Sequence, residues 1–241
     1  MILLLYNFPN FPLLSYYMSI NLSKAKYLGK TFRLIPTQFP PIQTFADVAT
    51  HDDLEAIMEL EGWTNDRLVK YRLNRLPKEE WVYGCNNASI IMAAYLHAPK
   101  DGLRFNDGNL GAWYCSLEIK TAIAEVAYHL RREAHNANFA EMRSSYRTYT
   151  ANLSGKYIDI RDKQEQFPEL YHPDNWQKSQ EFAQNARNMG EDGIFYSSIR
   201  YVKGSNIAAF KPTQINKVTI STSYELIVPK QGKIIARVLS S

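Results

Sequence analysis

Arg104, Tyr114 and Glu125 place a cation, a ring with a hydroxyl and a carboxylate in one short stretch of chain. Arg104 adjoins an Asn-Asp-Gly turn, where a guanidinium can be presented to a two-oxygen acceptor such as a phosphate or carboxylate. The plainer alternative is a solvated arginine. Tyr114 belongs to the aromatic run Gly111-Ala-Trp-Tyr-Cys115, and is either core or a residue that stacks on a planar ligand or donates its hydroxyl. Glu125 interrupts the run Thr121-Ala-Ile-Ala before Val-Ala-Tyr128, which sets a carboxylate beside an apolar stripe; a solvated helix face is the alternative. Ser197, Ser198 and Arg200 follow Gly193-Ile-Phe-Tyr196, where a strand end either presents side chains to a cleft or simply turns.

The elements that must position these residues are a loop, a strand and a helix in succession. In the helix, Ile119, Ala122, Ile123, Val126, Ala127 and Leu130 recur at three- and four-residue steps, with Ser116 expected as the N-cap. Glu118, Thr121, Glu125 and His129 share the flank beside that stripe. Further helices are predicted over Asp52–Glu61, with Asp52 as N-cap and Gly62 as the stop, over Ala88–His97, and from Asp174 or Asn175 to Met189. A polar loop carries Thr64, Asn65 and Asp66. Strands are predicted at Thr31–Leu34, Gly111–Cys115, Lys156–Ile160, Gly193–Ser197, Asn206–Phe210 and Lys217–Ser223, with two more between Tyr224 and Val238. Strand clusters alternate irregularly with helices, so the fold class is α+β, a mixed sheet flanked by helices, rather than a doubly wound fold.

Composition narrows the function. A chain of 241 residues with 45% hydrophobic residues can bury a sizeable single core. The net charge of +4 is spread along the chain, which argues against direct nucleic-acid binding. Two cysteines are too few for a disulfide framework and lack metal-site spacing, and no His/Cys/acid pattern supports a metal. A reducing, cytoplasmic setting is expected. Phosphate-loop, dinucleotide-fingerprint, zincin and serine-hydrolase motifs are absent. The first 23 residues carry no charge, but Pro9 and Pro12 break the apolar run and no basic residue precedes it, so neither a secretory signal nor a membrane span is expected. Residues 1–30 read as a disordered leader or a start placed too early, with Met18 as the alternative beginning, and residues 31–241 as one domain.

The ordered series Phe32-Arg33-Leu34, Thr64-Asn65, Arg104-Phe105 with Gly108 after it, Trp113-Tyr114, Thr121-Ala-Ile-Ala-Glu125, Tyr128-His129, Gly193-Ile-Phe-Tyr-Ser-Ser198-Ile-Arg200 and Asn206-Ile-Ala-Ala-Phe210-Lys-Pro212 resembles the RES domain. That family is named for an arginine, a glutamate and a serine, and the resemblance runs from about residue 31 to 228. It implies a fold similar to ADP-ribosyltransferases and cleavage of NAD⁺, as substrate rather than cofactor, at the nicotinamide–ribose bond. It also implies a toxin whose partner is a small helix-turn-helix antitoxin. By position, Arg104, Tyr114 and Glu125 would carry the chemistry, while Arg33, Ser198 and Asn206 would bind substrate. Ser198 is matched rather than Ser197 because it lies two residues before Arg200. The chain departs from compact members, which show Gly-Gly-Arg-Trp and a Pro-Gly turn where this sequence has Gly102-Leu-Arg104-Phe105 and Asn-Asp-Gly. Such a departure suits a longer subgroup with an enlarged N-terminal part. The family's chemistry leaves a protein ADP-ribosyltransferase as one alternative, and a non-catalytic interaction module as another.

Overall fold

The computed structural model describes residues 22–39, 45, 46, 48, 50–60 and 67–239. Nine strands form one sheet in the order β1-β5-β6-β7-β3-β2-β4-β8-β9. They are β1 (Lys24–Ala25), β2 (Thr31–Pro36), β3 (Trp113–Ser116), β4 (Glu141–Leu153), β5 (Tyr157–Asp159), β6 (Gly193–Ser197), β7 (Ser205–Ala209), β8 (Ile215–Pro229) and β9 (Ile235–Leu239). Among the described strands, only β5 and β6 pair in parallel. Five α-helices are described: α1 (His51–Leu60), α2 (Arg67–Arg75), α3 (Ala88–Leu96), α4 (Ile119–Asn136) and α5 (Gln177–Asn188). The α+β class expected from the irregular strand clusters is the one observed. No described helix is long and apolar enough to cross a membrane.

Alternation along the strands divides the core among three helical coverings. On one face, Trp113, Cys115, Tyr149, Ala151, Phe195 and Ile207 pack with Leu54, Val69, Leu73, Ile91 and Tyr95 from α1, α2 and α3. The opposite face is shared. Ile194, Tyr196, Ala208 and Phe210 meet Phe182, Ala183 and Ala186 of α5. Leu34, Tyr146, Leu226 and Val228 meet Ala122, Ala127 and Leu130 of α4. The two helices on that face therefore stand over different halves of the sheet, and the line between them falls at β3 and β2.

Several local expectations are corrected. Ser116 does not cap α4: it closes β3, is buried, and bonds Asn206, while Glu118 occupies the cap position. Thr50, not Asp52, caps α1, because its hydroxyl accepts the Asp53 N–H and donates to the Asp53 carboxylate. The Gly62 stop and the Thr64–Asp66 loop lie outside the described residues. Strand β4 was not expected, because its Arg- and Ser-rich first half hides the period of two; pairing to β2 on one side and β8 on the other supplies its order. Lys217–Ser223 and the segment after it form one continuous strand, β8. Strand β1 pairs with β5, so the sheet already includes residues 24 and 25 of the stretch read as a leader.

Helix α2 also escaped the sequence reading, and it matters to the site. Its Arg72 is 4% exposed and donates to the carbonyls of Leu96, Ala98 and Gly108. Hydrogen bonds from a charged donor are worth roughly 1.5–3 kcal/mol each, enough to offset the desolvation of one guanidinium. They staple the loop that carries Arg104. A Cβ at Gly108 would stand 1.9 Å from the Lys100 carbonyl oxygen, so only glycine lets the loop close on itself there.

Candidate active site

Strands β2 and β3 pair at a single position, Phe32 with Ser116, although β2 pairs with β4 along its whole length. Beyond that point the two halves of the sheet splay apart. Into the opening Arg33 sends its side chain, with Nη1 donating to the Tyr114 carbonyl at 3.0 Å. A cleft of about 210 Å³ lies here, lined among others by Arg33, Arg104, Tyr114, Glu125, Tyr196 and Asn206. Its position follows from the topology, since a splayed pair leaves side chains from both halves facing a gap that neither α4 nor α5 fills.

Glu125 projects from the flank of α4 into this cleft and is held by two donors. Ser198 Oγ and Asn206 Nδ2 each donate to its Oε1 at 2.7 Å. Both donors are themselves aimed. Ser116 Oγ donates to Asn206 Oδ1 at 2.6 Å, so the amide must turn its NH₂ toward the carboxylate; the flipped amide would set oxygen against oxygen. Ser198 Oγ accepts the backbone N–H groups of Arg200 and Tyr201, which leaves its proton for Glu125. The two fixed bonds fall on one oxygen, leaving Oε2 for a ligand. Ser197 turns elsewhere, donating to Asp162 at 3.2 Å.

Arg104 is anchored through Nη1 alone, to the carbonyls of Leu170 and His172 at 3.1 and 2.9 Å. Its Nε and Nη2 are not used in those bonds. Burial lowers its pKa from the ordinary arginine value, with Tyr196 and Glu125 opposing. Tyr114 is placed in the cleft, but its hydroxyl is committed: it accepts the Phe105 N–H at 2.8 Å and donates to Asn106 Oδ1 at 2.9 Å. That tyrosine can therefore offer a ligand its ring and not its proton. Burial, and then the Glu125 carboxylate, keep the Tyr196 phenol well above its usual pKa, so it too is neutral.

The outer rim is cationic and aromatic. Arg104 and Arg132 lie 6.0 and 5.8 Å from the Trp176 ring, and Arg200 lies 3.3 Å over the Tyr128 ring. His129, one helical turn after Glu125, meets Tyr128 and Trp176 edge to face. Burial first, then Arg132, Arg200 and Arg104, lower its imidazole from 6.5 to about 4, so it is neutral at physiological pH. Among the described residues no group of three or more His, Cys, Asp and Glu converges as a metal site would require.

The structure thus brings all six expected site residues, Arg33, Arg104, Tyr114, Glu125, Ser198 and Asn206, to one cleft or its supporting bonds. Sequence reasoning had read Ser116 as a helix cap and had not assigned site roles to His129, Trp176, Tyr196 or Arg200. His129 was visible on the Glu125 flank at a four-residue step, and Arg200 in the Ser-x-Arg spelling. Nothing local marks Trp176, which reaches the rim only through the packing of the α5 start.

The crystal structure of the Mycobacterium tuberculosis MbcT–MbcA toxin–antitoxin complex contains a chain that is 11% identical, with a TM-score of 0.48, covering 84% of this chain and 86% of that one. The uncharacterized protein y4oC of Sinorhizobium fredii is 28% identical over 131 residues, 54% of this chain and 56% of that protein, so the match spans about half of each. The RES domain model matches residues 71–228, from the helix that staples the Arg104 loop to the end of β8. Since that match takes in more than half of the chain, including the arginine, the glutamate and the serine built into the cleft, the protein belongs to the RES domain family.

Proposed function

We propose that this protein cleaves NAD⁺ at the nicotinamide–ribose bond. The observation that carries this reading is the Glu125 carboxylate, held on one oxygen by Ser198 and Asn206 inside a cleft whose rim is cationic. As nicotinamide departs, positive charge develops on the ribose, and a preorganised carboxylate binds that state better than the ground state. The leaving group is already a cation and departs neutral, so no general acid is required, in contrast to glycoside hydrolysis with its two carboxylates. Arg104, through Nε and Nη2, holds the diphosphate, and the rings of Tyr114 and Tyr196 flank the nicotinamide end. NAD⁺ acts as substrate, with no further cofactor.

Family membership supports a role as the toxin of a toxin–antitoxin pair acting in the cytoplasm. A small helix-turn-helix antitoxin that covers the cleft is the partner this implies. The test is incubation of the purified protein with NAD⁺ and identification of products by mass spectrometry. Free nicotinamide is expected; ADP-ribose, its 1″-phosphate or a labelled protein then identifies water, phosphate or a protein side chain as acceptor. A folded protein that releases no nicotinamide under any of these conditions refutes the reading.

A further inference from the structure

A second cavity of about 480 Å³ adjoins the first. Its described walls are Ile35 and Pro36 at the end of β2, Gly111 and Ala112 before β3, and the face of α3 that carries Ile90, Ala93 and Ala94. Arg33, Leu34 and Leu103 line both cavities. The volume lies within the range of roughly 300–1,000 Å³ common for small-ligand sites, whereas the cleft at Glu125 falls below it and suits one end of a dinucleotide.

Arg33 stands at the junction with its charge unanswered. Its Nε is buried without a hydrogen-bond partner, and Nη1 is spent on a neutral carbonyl. The titratable groups acting on it among the described residues are Cys115, Tyr95 and Tyr114, all held uncharged at neutral pH by burial. The guanidinium also lies over the Trp113 ring, 4.9 Å from its centre. A sequestered guanidinium without a carboxylate is costly unless an anion completes it.

We propose that the second cavity takes the adenosine half of the dinucleotide, with the diphosphate passing Arg33 at the junction and the nicotinamide riboside in the cleft at Glu125. This assignment rests on the reading of the cleft as an NAD⁺ site and extends it. The apolar face of α3 packs on the adenine, and Arg33 answers the phosphate nearer the adenosine while Arg104 holds the phosphate nearer the nicotinamide riboside. Recognition of the adenosine half is therefore separable from the reacting end.

The test uses two ligands that each contain one part of the substrate, ADP-ribose and nicotinamide mononucleotide. Calorimetry on the full chain compares the wild type with Ala93→Phe, which fills the second cavity and leaves the cleft untouched. The variant should weaken ADP-ribose by about tenfold or more while holding the mononucleotide within about twofold. Ile90→Phe, one turn earlier on the same face, should repeat this pattern, so a folding defect in one variant, visible in its melting temperature, does not decide the matter. Equal weakening of both ligands, or of neither, overturns the assignment. Binding of ADP-ribose that is sensitive to Ala93→Phe, in a protein that releases no nicotinamide, would support the cavity and refute the cleavage reading. Cleavage of NAD⁺ by Ala93→Phe at the wild-type KM would refute the cavity alone.

Discussion

Asn206 Nδ2 donates to Glu125 Oε1 across 2.7 Å, joining β7 to α4 over 81 residues of sequence. The bond aims a carboxylate, and Ser116 aims the bond. Asn206→Asp replaces the donor with a second acid at hydrogen-bond distance, and two carboxylates so close cannot both be charged at low cost. Nicotinamide release at neutral pH should fall by about tenfold or more and recover as the pH is raised. A pH–rate profile parallel to that of the wild type would mean that Asn206 supports the fold and not the carboxylate.

Glu125→Gln keeps the volume of the side chain and removes its charge. The variant should melt near the wild type and still bind NAD⁺, yet lose roughly 10²–10³-fold in kcat, the usual cost of one electrostatic group aimed at a transition state. Single-turnover kinetics with a folded variant is the appropriate measurement. A wild-type rate would end the proposed mechanism.

Arg104→Lys retains charge but not the fork that bonds two carbonyls while keeping nitrogens for a ligand. NAD⁺ affinity, read by calorimetry, should drop by about tenfold, in line with loss of one charge-assisted pair. Unaltered affinity would reduce Arg104 to a loop anchor.

His129 offers a test of the cleft's electrostatics through stability. Its imidazole sits near 4 in the folded chain against 6.5 when unperturbed, so between those values the unfolded chain binds a proton that the folded chain refuses. Stability is therefore complete above about pH 6.5 and is lost as the pH falls toward 4. His129→Gln removes this dependence. Between about pH 7 and pH 4.5 the variant should gain roughly 4–8 °C in Tm relative to the wild type, the equivalent of about 2 kcal/mol. A difference in Tm that does not change with pH would show that His129 is not held neutral by its surroundings.

The N-terminal boundary is open to the same kind of measurement. A chain beginning at Met18 keeps β1 and the bond from Asp159 N–H to the Ser23 carbonyl, and should melt and turn over NAD⁺ as the full chain does. One beginning at Thr31 loses that edge strand and should melt several degrees lower, by roughly 1–2 kcal/mol of lost backbone pairing. Insolubility of the chain from Met18 would assign the uncharged residues before it to the fold.

What the sequence determined by itself was whatever chemistry and spacing can encode locally. The apolar stripe from Ile119 to Leu130 sets α4 and the flank that carries Glu125, because a helical period is written in consecutive residues. The ordered motifs identify the family and the set of residues that meet in the cleft. Tertiary structure decided the rest. Ser116 looked like a helix cap and is the buried hydroxyl that turns Asn206 toward Glu125, since a hydroxyl's role depends on which partner arrives beside it. The tyrosine hydroxyl of residue 114, available on paper to a ligand, is consumed by the loop folded over it. Arg72 staples that loop from a helix without a clear sequence signal, and β4 is ordered by the strands on either side of it. The divergence of β2 from β3, which opens the cleft and isolates Arg33, is a property of pairing between strands about 80 residues apart, and no local pattern in either strand records it.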